Sequence, residues 1–391
     1  MDTEYIAKPM FKLSQVLRGG DKVAWTTHIA MGYPSYLAFE WEAYRRFRTE
    51  LKQPGNGFDI VHRVTPMSPT LPSLMAARSK VPFVIGPLNG GLKWPAAFTN
   101  ELKREREWLS YLRDVHRHMP YHAATFRKSA AILAAFPHTI DDLPDYCRDR
   151  AIDFPEVGID PDVFGDHGAK AVRRPDEKIV FLFVGRLVPY KCADVVVRAF
   201  ANSQKLRGHI LKIVGDGPDR ELLQSLIDQH GLHDCVELLG ARKQTEVGEL
   251  MRSADVFAFP SIRELGAGVV VEAMACGLPS VVVDYGGPKG LITEDTGIKV
   301  PLGSKDDLVE RYVKELEALV DAPERCAALG ARAHAVATEL YTWDRKARKT
   351  IEVYEWVLGR RRDRPNFYEL GQDNLGRPGP QLRPETGPKT T

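Results

Sequence analysis

The chain has 391 residues, a formal net charge of +2, 43% hydrophobic and 27% charged residues, the balance of a folded globular protein long enough for two domains. The small net charge and the lack of an aromatic-basic platform argue against a nucleic-acid partner, and no apolar run reaches the ~20 residues that cross a bilayer. Five scattered cysteines, Cys147, Cys192, Cys235, Cys276 and Cys326, form no CxxC or Cys/His cluster, and with an N-terminus that lacks a signal pattern they read as reduced thiols of a cytoplasmic protein.

In the opening stretch, MDTEYIAKPMFKLSQVLRGGDKVAWTTHIAMG, no strong apolar strand stands out, and Arg18 to Asp21 reads as a turn. Residues 58–69, FDIVHRVTPMSP, and 81–91, VPFVIGPLNGG, each read as a buried strand running into a loop. Loops at that end of parallel strands face a cleft, and the second carries Asn89, Gly90 and Gly91 at its end. His62 ends the first strand, where a histidine bonded to backbone competes with one that faces the cleft.

Residues 102–119, LKREREWLSYLRDVHRHM, are rich in Arg and Lys and carry Trp108, Leu109, Tyr111, Leu112 and Val115 at the spacing of one helical face. Such a helix packs its apolar side on the domain or lies peripherally on an anionic membrane. Val157 to Phe164 and the polar stretch up to Lys178 read as a linker, dividing a first domain, 1–160, from a second, 161–342.

The second half alternates regularly: strand 179–184, helix near 193–204, strand 210–214, helix 219–230, strand 235–239, helix 244–253. This is the pattern of an α/β, doubly wound parallel sheet. The first of these strands, in IVFLFVGRLVPYK, ends in Gly185 and Arg186, with Lys191 five positions later. Both cations lie past the carboxyl end of a strand, where open sheets bind ligands, and Arg holds phosphate oxygens bidentately. A cation ~4 Å from a phosphate oxygen is worth roughly 4 kcal/mol at an effective dielectric near 20, so neutralising a departing phosphate is a catalytic role for them; a surface ion-pair set is the plainer alternative. In VGDGPDR, Gly215 and Gly217 have no third glycine at Arg220, so a dinucleotide fingerprint fails and a structural turn is expected. The loop Gly240 to Lys243 contributes Arg242 and Lys243 at the same sheet edge.

DVFAFPSIRELGAGVVVEAMACGLPSVVVD, Asp255 to Asp284, reads strand, glycine-rich loop, helix, strand, with Glu264 and Glu272 eight positions apart. The helix starting near Ala267 or Gly268 aims unpaired amides and its positive end at the sheet edge, a place for an anion. Glycines admit a phosphate closely, and the two glutamates offer acceptors to neutral hydroxyls; otherwise they are a solvated loop carboxylate and a charge favoured by the dipole. Gly286, Gly287 and Pro288 form a further loop, and Asp295 to Gly297 a turn before Ile298 to Val300. Trp343 to Leu358 reads as a terminal helix carrying Tyr354 and Trp356, and from Gly359 to residue 391 the Arg-, Pro- and Gly-rich chain is predicted to be disordered.

Gly185, Arg186 and Lys191, then IVGDGP at 213–218, then ELGAGVVVEAMACGLP at 264–279, resemble the retaining glycosyltransferases of family 4, whose fold is GT-B: two Rossmann-like domains facing a cleft. The resemblance implies a nucleotide-diphosphate sugar held by the second domain. Arg186 and Lys191 would meet its diphosphate, Glu272 the ribose hydroxyls, and Glu264 the transferred sugar, with Gly185 nearby and Leu265, Gly266, Ala267 and Gly268 supplying backbone amides. It places Arg242 near the base, the GPLNGG loop in the acceptor-side cleft, and residues 343–358 across the first domain. It also implies a saccharide or lipid-linked acceptor and a role in polysaccharide or glycoconjugate biosynthesis. Family members usually begin with a strand and a glycine-rich loop; that unit is not found here, so an abbreviated first domain is expected. With Asp160 and Asp162 in the linker, no Asp-x-Asp element requires a metal, and no cofactor is implied. A nucleotide-sugar epimerase or hydrolase on this fold, or an inactive nucleotide-binding remnant, are the competing readings.

Overall fold

Two parallel sheets carry the fold. In the first, β1 (Val61–Arg63), β2 (Phe83–Leu88), β3 (Ser129–Ala134) and β4 (Ala151–Asp153) lie in the order β1-β2-β3-β4, every pair parallel. The second holds β5 (Val180–Val184), β6 (Ile210–Val214), β7 (Val236–Gly240), β8 (Val256–Phe259), β9 (Ser280–Val283) and β10 (Gly297–Val300), in the order β10-β9-β8-β5-β6-β7. The computed structural model describes residues 25–55, 57–104, 115–165, 172–174 and 177–369, with Pro9. Among these residues no strand precedes β1, and a 23-residue helix, Trp25–Phe47, packs beside it, tied by Arg63 Nη1 donating to Tyr36 Oη at 2.9 Å. The turn expected at Arg18 to Asp21 lies outside the described residues.

Helices cover both faces of the second sheet, so its central strands are continuous apolar runs: Phe181 to Phe183, Val256 to Phe259 and Val281 to Val283 are fully buried. The chain steps outward from β5 to β6 to β7, then returns to set β8 against the other side of β5. This reversal opens a crevice beyond the carboxyl ends of β5 and β8, the place where doubly wound sheets take ligands. After β8 the chain forms the helix Gly268–Ala275, ended by Gly277 at φ 72°.

Segments from each half dock on the other. The Ile159 N–H donates to Tyr341 O at 2.9 Å, and the helix Trp343–Val357 reaches β1 through Tyr354, whose hydroxyl is 2.7 Å from His62 Nδ1. Residues 359–369 differ from the disorder expected of them: Phe367 is buried against Phe154 and Tyr341. Two aromatic residues in a Pro-rich stretch suffice to anchor it, since each removes a large apolar surface from water. Residues 370–391 lie outside the described residues.

In the other direction, the chain leaving β2 crosses to the second domain. Tyr285 Oη donates to Lys93 O at 2.8 Å, Trp94 stands edge-on to Tyr190, and Phe98 is buried in the larger core. The helix Thr99–Arg104 then docks through ion pairs of Glu101 with Lys305 (2.7 Å) and of Arg104 with Asp219. The start of the expected 102–119 helix therefore faces protein; residues 105–114 lie outside the described residues. Among the described residues no helix is long and apolar enough to cross a membrane, and all five cysteines are buried free thiols.

Candidate active site

The crevice between β5 and β8 assembles residues from two loops. Beyond β5, backbone contacts hold Gly185 and Arg186: Leu187 N–H donates to Asp216 O at 2.9 Å and Asp219 N–H to Leu187 O at 3.0 Å. The IVGDGP turn presses close enough that a Cβ on Gly215, at φ 140°, would stand 1.8 Å from Gly185 O. Only glycine allows that approach. Arg186 is exposed at the rim, its guanidinium 3.4 Å from the Tyr190 hydroxyl, and among the described residues it has no carboxylate partner.

Lys191 turns inward. Its Nζ lies 2.5 Å from Glu264 Oε1, and the two side chains are only 13% and 12% exposed. The ammonium also stands 4.8 Å above the Phe259 ring, a cation–π contact that partly replaces lost hydration. Ser261 Oγ, 3.0 Å from Glu264 Oε1 and 3.1 Å from Tyr190 O, joins the loops after β5 and β8. A buried, hydrogen-bonded ion pair at a ligand crevice is a fixed electrostatic element that needs no rearrangement when charge develops beside it.

Past Glu264, the loop turns through Leu265 and Gly266 to Ala267, which takes φ 60° directly before the helix at Gly268. A non-glycine residue in that conformation is strained, and such strain persists where the surroundings impose it, often at functional sites. Gly287 N–H donates to Glu264 O at 2.8 Å, so the first turn of the helix Gly286–Leu291 braces the same loop. In the first turn and a half of the helix, burial raises the carboxyl pKa of Glu272 above its ordinary value. A half-buried carboxyl there is suited to accept from hydroxyls.

The first domain closes over this edge with the loop after β2. Asn89 Nδ2 donates to Glu156 Oε1 in a very short contact, and that oxygen also abuts Gly266. Gly90 is held by Thr139, whose hydroxyl donates to Gly90 O at 3.0 Å, and Gly91, at φ 77°, packs on Asp142. The sequence-predicted Gly185, Arg186, Lys191, Glu264, Leu265, Gly266, Ala267, Gly268, Glu272, Asn89, Gly90 and Gly91 thus gather around the two facing sheet edges. Arg242 is exposed two positions past Gly240, whose carbonyl accepts from Gly215 N–H at 2.9 Å, at the end of edge strand β7. One predicted residue does not face the cleft. His62 engages Gly86 O through Nε2 and the Tyr354 hydroxyl through Nδ1, each at 2.7 Å. Because a carbonyl can only accept, Nε2 carries the proton and Nδ1 receives that of Tyr354. Burial lowers the His62 pKa, and the neutral ring is a structural tie between domains instead of a cleft group.

Sequence reasoning missed three nearby side chains. Glu156 lies within the segment beside the presumed linker, and its contacts are visible only in three dimensions. His138 follows β3, stacks on Phe136 and has a buried Nε2 without a hydrogen-bond partner among the described residues; burial lowers its pKa to about 4. The apolar run Ala130 to Phe136 ending at Pro137 was the available signal for a strand ending at the crevice. Trp94, with the Arg263 guanidinium 5.0 Å from its ring centroid, had no pattern to mark it.

Parts of the chain are similar to known proteins. Residues 168–335 match the family model described as Glycosyl transferases group 1. A D-inositol 3-phosphate glycosyltransferase of Stackebrandtia nassauensis is 33% identical over 221 residues, 52% of this chain and 48% of that protein. The corresponding protein of Mycobacteroides abscessus is 36% identical over 168 residues, 40% of this chain and 37% of that protein. The chain therefore spans about half or less of the length of these relatives. Among solved structures, sucrose-phosphate synthase from Thermosynechococcus elongatus superposes with a TM-score of 0.60 at 18% identity, covering 84% of this chain and 80% of that one. Anabaena Alr3699/HepE, solved in complex with UDP, gives 0.59 at 18% identity, covering 83% and 82%. Residues 168–335 thus resemble the group 1 glycosyl transferases, and the chain's two parallel sheets have the GT-B fold.

Proposed function

We propose that this protein is a retaining glycosyltransferase that moves a sugar from a nucleotide-diphosphate donor to a saccharide or lipid-linked acceptor, in polysaccharide or glycoconjugate synthesis. The observation that carries the reading is the inward Lys191, paired with Glu264 at the crevice between β5 and β8 and flanked by Arg186 and the Gly268 helix terminus. Two cations and a helix N-terminus converging on one edge favour a diphosphate. The half-buried Glu272 accepts from ribose hydroxyls, and Glu264 faces the transferred sugar. As the glycosidic bond breaks, negative charge grows on the departing diphosphate, and Lys191 and Arg186 stabilise it. The acceptor hydroxyl attacks the face the diphosphate leaves and passes its proton to a phosphate oxygen, which retains configuration without an enzymic nucleophile or metal.

The named relatives act on D-inositol 3-phosphate and HepE was solved with UDP, which supports a phosphorylated polyol or saccharide acceptor and a uridine donor as the first to try. The test is turnover: UDP-, GDP- and ADP-sugars are incubated with candidate acceptors and both released nucleotide and anomeric configuration are followed. Acceptor-dependent release with retention supports the proposal. Release at equal rate without any acceptor supports a hydrolase instead, and inversion contradicts the mechanism.

A further inference from the structure

Where the linker passes beneath the cleft, three segments meet: Asn89 on the loop after β2, Glu156 before the second domain, and Gly266 between Glu264 and the helix at Gly268. Glu156 Oε1 accepts from Asn89 Nδ2 and lies where a side chain on Gly266 would be, 2.0 Å from the position of its Cβ. Among the described residues, the remaining oxygens, Glu156 Oε2 and Asn89 Oδ1, are both shielded from solvent and have no hydrogen-bond partner. Buried acceptors are nearly always satisfied, so two orphans side by side call for an explanation.

The described residues supply none. Lys346 is the nearest cation to influence Glu156, but its ammonium donates to Pro155 O and lies among the rings of Phe154, Trp343 and Phe367. It forms no ion pair with Glu156 among the described residues. What is missing is a pair of uncharged donors: an anion is repelled by the carboxylate, and a cation has only one carboxylate and an amide oxygen to hold it. Vicinal hydroxyls of a sugar fit, since each donates one proton to one acceptor. Asn89 rides on the first sheet and Gly266 on the second, so parting of the two sheets uncovers both oxygens for a ligand and closure seals them.

We propose that Asn89 and Glu156 form a hydroxyl-binding subsite for the donor's sugar ring, with Glu156 fixed against Gly266 as the specificity-determining residue. The contact with the Glu264–Gly268 loop assigns the subsite to the donor's sugar, and the inference rests on the donor reading given above.

Calorimetric titration of each bare nucleotide and its sugar conjugate, UDP with UDP-glucose, GDP with GDP-mannose, ADP with ADP-glucose, tests it on wild type, Glu156→Gln and Asn89→Ala. For the pair that binds wild type, both variants should hold the bare nucleotide within about twofold while losing the conjugate by about tenfold, the scale of one hydrogen bond to a charged group. Retained affinity for the bare nucleotide shows that the variants fold. Equal losses for nucleotide and conjugate, or no loss for either, overturn the subsite and leave the donor site standing. No binding of any probe by wild type overturns the donor reading and the subsite together.

Discussion

Lys191 and Glu264 meet at 2.5 Å across the crevice between β5 and β8, so one ion pair joins the two strands whose order reverses around the site. Each residue belongs to a different sequence motif, GR-x4-K and E-x7-E. If Lys191 stabilises the departing diphosphate, Lys191→Ala should lower kcat by about 10²–10³-fold, the usual loss on removing one preorganised donor. Steady-state release of nucleotide measures it; an unchanged kcat would confine the pair to a structural role.

The GDGP turn sets the position of Arg186 by backbone contact. Gly215→Ala would force a Cβ to within 1.8 Å of Gly185 O at φ 140°, so the turn must move. Strain and lost contacts of this kind cost about 3 kcal/mol or more. Urea unfolding should show the loss of stability, and titration should show weaker nucleotide binding by the folded fraction.

Lys305 links the domains by bridging Glu101, at 2.7 Å, to Asp194, at 3.1 Å. Burial pulls its ammonium pKa down, but Asp194 and Glu101 outweigh this and the net pKa is raised. Lys305→Ala leaves two largely buried carboxylates facing each other. Breaking such a pair destabilises by roughly 3 kcal/mol, and Lys305→Met should do the same because charge, not bulk, is what is lost. Thermal unfolding of the two variants checks this, along with faster proteolysis near residues 93–104.

Asp153, at the end of β4 beside the Tyr368 hydroxyl, has its pKa raised to about 7 by burial. An acid whose folded pKa lies above its unfolded value stabilises the fold while protonated, and that contribution disappears as pH rises from ~4 through ~7. Asp153→Asn removes the titration. The variant should therefore gain on wild type as pH rises, with an upper bound of ~4 kcal/mol at pH 8, and the two unfolding midpoints should converge only near pH ~4 and below. A constant difference across that range would contradict the assignment.

Much of the second domain was legible because buried parallel strands write themselves as uninterrupted apolar runs: the expected strand 210–214 and helix 244–253 coincide with Ile210–Val214 and Gln244–Ser253. The loops of the candidate site were legible for a related reason, since glycines and charges directly follow those runs. The helices Lys305–Val320 and Pro323–Leu340 are amphipathic covers of the sheet with no glycine-rich or charged loop that marks them as part of the crevice. In the first domain, β3 and β4 escaped because SAAILA and AID are short and alanine-rich, and alanine has no preference for strands. His62 misled because a polar residue at a strand end looks the same whether it serves the cleft or ties down a distant Tyr354. Glu156 was invisible because its partners, Asn89 and Gly266, are far away in sequence.

The proposed donor site at the edge between β5 and β8 is tested by titration of UDP, GDP and ADP against wild type, Arg186→Ala and Glu272→Ala. Selective binding of one nucleotide is expected, weakened at least tenfold in both variants, because one substitution removes a proposed diphosphate contact and the other a proposed ribose contact. Binding of one nucleotide that both variants retain at full strength would contradict it, as would failure of the folded wild type to bind any of the three.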